Sequence, residues 1–241
     1  LEALHLSTWL CGAHRRAVIT EVKRRLSEGK ACHLVSTQVI EAGVDLDFPL
    51  VMRALAPLDS IVQAAGRCNR EGKIPRGTTI VFDTENDRSP GGVYRTAIGI
   101  TRAMLRGGSL DMDQPETLTE YFQRLYATLD TDREGIQALR ANLDYPQVAD
   151  RFRMIEEDTV SAVVATYGTA RQRSAVARNI SILAAGSPAA RLVLRRLQPY
   201  VVSINQTRVP ALVRDGFMQE VITGVYEWVG PYDPIRGVGN I

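Results

Sequence analysis

Several things are missing from this 241-residue chain, and each absence excludes something. No apolar run approaches the length needed to cross a bilayer, and no signal-peptide pattern opens the chain, so neither membrane insertion nor secretion is indicated. Cysteine is scarce. Cys11, Cys32 and Cys68 are odd in number, unclustered and without metal-ligand spacing, so they read as reduced thiols of a cytoplasmic protein, with no metal site. There is no Gly-x-x-x-x-Gly-Lys-[Ser/Thr] loop to cradle phosphates: Gly29-Lys30 and Gly72-Lys73 lack both the upstream glycine and the following hydroxyl. An Asp-Glu-x-His box and a His-Asp pair are absent too. Acid is missing from a long segment, since residues 159–214 carry 8 arginines and no Asp or Glu.

What remains is ordinary for a globular protein, 45% hydrophobic and 23% charged, with length for one large domain or two small ones. The net charge of +2 conceals blocks: +4 over residues 1–107, −7 over 108–158, +8 over 159–214 and −3 thereafter. An ordered-looking segment with one sign of charge points to an anionic partner. Arginine makes up 26 of the 29 basic residues, so a general bias inflates the count, but bias does not remove acids.

Strands and helices alternate in the first half. Residues 3–8 read as a strand, 14–26 as a helix, 31–37 and 50–55 as strands, 77–84 as a strand and 93–106 as a helix closed by Gly107-Gly108. That alternation predicts an α/β fold with a parallel sheet, whose ligands gather at the carboxyl ends of the strands. Helices are expected over 116–129, 135–143 and 146–155. A strand over 159–167, helices over 170–184 and 188–197, and strands over 200–205 and 220–229 complete the chain.

The stretch Ile61-Val-Gln-Ala-Ala-Gly-Arg-Cys-Asn-Arg70 carries the chemistry. As a helix capped by Asp59 or Ser60, it sets Gln63, Arg67 and Arg70 on one face, with Ile61, Val62, Ala65 and Cys68 opposite. Gly66 inside it would cost about 1 kcal/mol relative to Ala. Guanidinium forks suit phosphate oxygens, so the stripe is either an arginine-finger surface or a solvated basic face. Upstream lies Ser36-Thr-Gln-Val-Ile-Glu-Ala-Gly-Val-Asp-Leu-Asp47.

In this order the two stretches resemble motifs V and VI of superfamily 2 helicases, in their second RecA-like domain. They are most similar to the CRISPR-associated helicase–nucleases of type I interference systems, where Ser-Thr-x-Val-x-Glu-x-Gly-Val-Asp-x-Asp precedes Gln-x-x-Gly-Arg-x-Asn-Arg. Leu197-Gln-Pro-Tyr-Val-Val202 and Val225-Tyr226 resemble the small C-terminal domain of the same family. The resemblance implies a second RecA-like domain over 1–107, a helical linker over 108–158 and a small α/β C-terminal domain over 159–241.

It also implies half of a site for ATP with Mg2+. The first RecA-like domain and the nuclease domain, which would supply the rest, are not in the sequence, and the chain reads as a fragment of a longer protein. Arg67 and Arg70 would reach the γ-phosphate, with Gln63 orienting water or phosphate. Gly43 would let backbone approach the nucleotide, and Asp45 would accept a ribose hydroxyl or else cap its loop. Ser36 and Thr37 would hold a strand phosphate, and Glu41 is either coupled to nucleic acid or part of a salt bridge. His14 with Arg15 would either approach the same strand or simply begin a helix. Arg191, Arg195 and Arg196, within the acid-free segment, would line a channel for single-stranded DNA, although few aromatics interleave them. The whole implied protein is an ATP-dependent DNA helicase of the prokaryotic cytoplasm, working with a guide-RNA surveillance complex in antiviral defence. The alternatives are another superfamily 2 repair or RNA helicase, and a non-catalytic module that binds nucleic acid. Retention of Gln63, Arg67 and Arg70 speaks against the last.

Overall fold

The structure, a computed structural model, describes residues 3–41, 43–85, 89–107, 111–112, 114–152 and 159–239. The chain opens with β1 (Ala3–Leu6), α1 (Gly12–Ser27) and β2 (His33–Ser36). A short 3-10 turn, Gln38–Ile40, leads to β3 (Leu50–Ala54), α2 (Leu58–Ala65), β4 (Thr78–Phe82) and α3 (Val93–Arg106). Three helices follow, α4 (Pro115–Thr128), α5 (Ile136–Ala141) and α6 (Tyr145–Arg151). The last part contains β5 (Thr159–Val164), α7 (Ala170–Ala184), α8 (Ala190–Leu197), β6 (Val201–Asn205), α9 (Val209–Arg214), β7 (Met218–Ile222) and β8 (Val225–Trp228). The expected roles of Gly108 and of residues 153–155 lie outside the described residues.

By compactness the chain forms two units, one of Leu1–Val44 with Glu157–Ile241, the other of Asp45–Glu156. These packing units cut across the segments 1–107, 108–158 and 159–241, which stand as a division by resemblance rather than by packing. In the first unit β1 and β2 pair in parallel, Ala3 opposite His33 through Leu6 opposite Ser36, with α1 as the crossover. Its other sheet has the order β6-β5-β8-β7. Strand β5 lies parallel to β8 and antiparallel to β6, while β7 and β8 are antiparallel. The alternation of β5 divides two cores. Ala162 and Val164 join Val202, Ile204, Leu212, Met218 and Trp228 on one face. Val163 meets Val176, Ile180 and Leu183 of α7 and Val193 and Leu197 of α8 on the other.

In the second unit β3 and β4 pair in parallel, Leu50 opposite Thr78 through Ala54 opposite Phe82. Its core is helical: Leu58, Ala97, Met104, Tyr121 and Leu125 pack together from α2, α3 and α4. Tyr121 is fully buried, and its hydroxyl donates to Asp59 Oδ1 at 3.3 Å.

The α/β class holds, with parallel pairing among the early strands as expected. Two expectations of local structure are corrected. The single last strand over 220–229 is a hairpin, because Thr223-Gly224 forms a tight turn with Gly224 at φ 78° and folds β8 back on β7. The helix expected across 61–70 starts earlier and stops sooner. Leu58 opens it behind Pro57, Asp59 sits in its first turn rather than capping it, and Gly66 is the C-cap, donating its N–H to Val62 O. A helix that ends at Ala65 cannot display Gln63, Arg67 and Arg70 as one stripe.

Candidate nucleotide loop and basic face

The reason α2 stops is found twenty residues upstream. Phe48 donates its N–H to Arg67 O and accepts the Asn69 N–H, both at 2.8 Å, so Phe48 and Cys68 form a parallel bridge. Once Arg67 and Asn69 serve a strand-like bridge, their backbone groups cannot continue an i to i−4 helical ladder. Asn69 then turns at φ 48°, a left-handed conformation to which asparagine is better suited than most side chains.

The Asn69 amide closes the loop it begins. Its Nδ2 donates to Ile74 O at 2.7 Å, and its Oδ1 accepts the Ile74 N–H at 3.1 Å. Gly77 passes so close beneath that an added Cβ would lie 2.7 Å from Cys68 Sγ and 2.8 Å from Asn69 Cβ. Asn69 and Gly77 therefore shape the turn that carries Arg70. The Asn69-Arg70 pair of the motif is the one hint of this in the sequence.

Two aspartates hold Arg70. Asp47 Oδ1 accepts its backbone N–H at 2.7 Å, and the Asp45 carboxylate pairs with its guanidinium at 2.9 Å. The side chains of Arg70 and Asp45 stay 44% and 70% exposed, so the pair is an open one, worth at most about 1 kcal/mol. Arg67 is half-buried and Gln63 is exposed on the last turn of α2. Asp45, Gln63, Arg67 and Arg70 all belong to the second unit. Asp45 and Arg70 are brought into direct contact, while Gln63 remains on the helix and the two arginines follow it.

Ser36, Thr37 and Gly43 belong to the first unit. The Ser36 hydroxyl is turned inward, within 3.1 Å of Leu6 O and 2.8 Å of Thr37 O. Thr37 donates its N–H to Leu6 O at 3.1 Å, extending the β1–β2 ladder, and its side chain is exposed. Gly43 takes a left-handed φ of 73° with open space where a Cβ would stand. His14 is buried, stacked on Tyr167 at 4.5 Å between ring centres, with Nδ1 2.9 Å from the Tyr232 hydroxyl. Burial, then the nearby His5, lower its pKa below the usual imidazole value. A neutral ring enclosed by two tyrosines is a packing element, so the strand-contact alternative for His14 is set aside.

The acid-free segment builds a basic surface. On α8, Val193 and Leu197 face the core one turn apart, which leaves Arg191, Arg195 and Arg196 exposed. Among the described residues these three have no ion-pair or hydrogen-bond partner. On α7, Arg171, Arg173 and Arg178 are also exposed, behind a capping box in which Thr169 and Gln172 satisfy each other's backbone donors. Leu192 and Leu194 lie exposed between the α8 arginines, and no aromatic side chain occurs on either helix. Such a face holds charge without offering stacking platforms. Among the described residues no cluster of metal-binding side chains occurs, and no helix is long and apolar enough to cross a membrane.

Parallel strands joined by a crossover helix make an α/β module, with one motif on the loop after β2 and the other on the end of α2 and the turn beyond it. Its relatives are specific. Residues 3–73 match the family described as CRISPR-associated nuclease/helicase Cas3, C-terminal. The CRISPR-associated nuclease/helicase Cas3 of Haloferax volcanii is 55% identical over 64 residues, which is 24% of this chain and 7% of that protein. That of Methanothermobacter thermautotrophicus is 34% identical over 109 residues, 42% of this chain and 13% of that protein. The matches thus span a small part of the length of these relatives. The crystal structure of T. fusca Cas3-ATP superposes over 98% of this chain and 35% of its own, with a TM-score of 0.55 and 15% identity. A CRISPR RNA-guided surveillance complex, pre-nicking, contains a chain that superposes over 98% of this one and 37% of its own, at a TM-score of 0.55 and 14% identity. The resemblance to the CRISPR-associated helicase–nucleases is thereby shown: in sequence over the first third, and in fold over nearly the whole chain.

Proposed function

We propose that this chain is the part of an ATP-dependent DNA helicase that presents arginines to a nucleotide gripped by a separate first RecA-like domain. The observation that carries the reading is Arg70, whose backbone is tied by Asp47 while its guanidinium stays accessible beside Asp45. A guanidinium placed in this way can exchange an exposed carboxylate for the oxygens of a transferring phosphoryl group, where charge develops. Arg67 acts with it, Gln63 orients water or phosphate, and Asp45, once released, accepts a ribose hydroxyl. Gly43 admits backbone to the nucleotide, and Thr37, with Ser36 once its hydroxyl turns away from Leu6 O and Thr37 O, holds a strand phosphate. ATP would arrive with Mg2+, whose carboxylate ligands belong to the first RecA-like domain.

The basic face of α7 and α8, including Arg191, Arg195 and Arg196, holds the displaced single strand by its phosphates. The whole protein then moves along the strand exposed when a guide RNA pairs with its target, alongside a surveillance complex in the prokaryotic cytoplasm. The chain alone hydrolyses no ATP. In a protein that also contains the nuclease and first RecA-like domains, Arg70→Ala lowers turnover far more than ATP or DNA affinity, because a group that closes on the γ-phosphate acts on the transition state. Unchanged turnover in that variant overturns the proposal.

A further inference from the structure

The final loop of the described chain returns to its beginning. Val238 donates its N–H to Trp9 O at 3.1 Å, and Cys11 donates its N–H to the Tyr232 hydroxyl at 3.1 Å. That hydroxyl also lies 2.9 Å from His14 Nδ1 and 3.6 Å from Cys11 Sγ. The loop is stiff before it makes these contacts. Asp233 and Gly237 exchange two backbone hydrogen bonds of 2.8 and 2.9 Å, and Asp233 Oδ1 accepts the N–H groups of Ile235 and Arg236 at 2.8 and 2.7 Å.

The fit leaves no room at Gly237. At its φ of 72° an added Cβ would lie 2.2 Å from Trp9 O, closer than any real contact. Cys11 and Val238 are both fully buried in the core face that β5, β6 and β8 also supply. On the other side of the joint, a Cβ on Gly12 would meet Pro199 O at 3.2 Å. Thus the loop after β1 and the first turn of α1 pack against the C-terminal sheet and the loop that follows it, where Tyr232 lies 221 residues from Cys11 in sequence.

We infer that residues 231–239 are a strap that makes the β1–α1 segment and the C-terminal four-stranded sheet one mechanical body. Displacement of α7 and α8 is then carried to the carboxyl end of β1 without passing through any hinge in the chain. That consequence rests on the proposal that these helices hold nucleic acid; the strap itself does not.

Backbone hydrogen exchange on the whole chain tests it. In the unaltered protein, the amides of Cys11 and Val238 exchange as slowly as those in the centre of β5. Tyr232→Phe keeps the ring and removes the acceptor. It speeds Cys11 exchange at least tenfold while β5 and β6 are unchanged. Gly237→Val forces the strap off, and residues 7–12 and 231–239 lose protection together while β5 to β8 keep theirs. Fast exchange at Cys11 and Val238 in the unaltered protein overturns the inference. So does loss of protection in residues 231–239 alone when Gly237 is replaced. Should Gly237→Val not fold, Tyr232→Phe decides: unchanged Cys11 exchange there overturns the strap. Single-stranded oligonucleotide added to the unaltered protein slows exchange at residues 7–12, and added to Gly237→Val it does not. Failure of the oligonucleotide to bind at all would count against the proposed role of α7 and α8, leaving the free-protein exchange to judge the strap.

Discussion

The Arg70 guanidinium stands 2.9 Å from the Asp45 carboxylate, although the two residues lie on different loops of the second unit. The contact depends on a separate anchor, since Asp47 holds the Arg70 backbone from two residues further along the Asp45 loop. Position and charge are therefore handled by different side chains. An arginine anchored by its backbone can release its guanidinium without losing its place.

Stability should separate these two roles. Asp47→Ala removes an acceptor from a backbone N–H and is expected to cost about 1 kcal/mol or somewhat more. Asp45→Asn breaks only an exposed ion pair and is expected to cost less than about 1 kcal/mol, falling toward zero as salt is added. Denaturant midpoints at low and high salt measure both. A larger loss from Asp45→Asn than from Asp47→Ala would show that the anchor is misassigned.

The turn after α2 has its own signature. Gly77→Ala pushes a methyl into Cys68 Sγ and Asn69 Cβ, at 2.7 and 2.8 Å, and is expected to destabilise by about 1–3 kcal/mol. Asn69→Gly keeps the left-handed turn but loses both bonds to Ile74, so it should cost less than Asn69→Ala, which loses the bonds and strains the backbone. Equal losses from the two Asn69 variants would remove backbone conformation from the account.

Alkali should act on the second unit through Tyr121. Burial, followed by the charge of Asp59 and the hydrogen bond to it, raises its phenol from 10.0 to about 12. A phenol whose pKa rises on folding supports the fold while neutral. That support is whole below the unfolded value near 10 and is lost as the pH climbs through about 12. Thermal unfolding followed between pH 9 and 12 should show a decline that Tyr121→Phe largely abolishes. An identical decline in the variant would trace the alkaline sensitivity to other groups.

Binding to single strands should depend on salt and not on sequence. On a single strand the slope of log affinity against log salt is about −0.7 for each phosphate neutralised. Replacing Arg191, Arg195 and Arg196 together with Gln should flatten that slope, because these side chains have no internal partners among the described residues. Folding should be unaffected, since Val193 and Leu197 carry the packing of α8. A triple variant with unchanged affinity and slope would move the nucleic-acid surface elsewhere.

Periodicity found the helices whose shape is decided locally. The predicted limits of α3, Val93–Arg106, and of α7, Ala170–Ala184, agree with the structure, because each has an apolar stripe and its own stop or cap. Pattern failed where a distant partner outbids local propensity. Helix α2 should have run on through Gly66, and the bridge between Cys68 and Phe48 ends it. His14 reads as a strand contact or the plain start of a helix, yet Tyr232, 218 residues later, closes over it.

The amino-acid sequence by itself determined the α/β class, the order of the two motifs, the basic and acidic blocks and the kinship of residues 3–73, since these depend on residue type and spacing. Tertiary structure alone decided that Asp45 meets Arg70, that Asn69 and Gly77 build the turn between them, and that the last loop grips the first. Each of these pairs residues across a loop or across the whole chain, and closing such distances costs entropy that only the assembled core recovers.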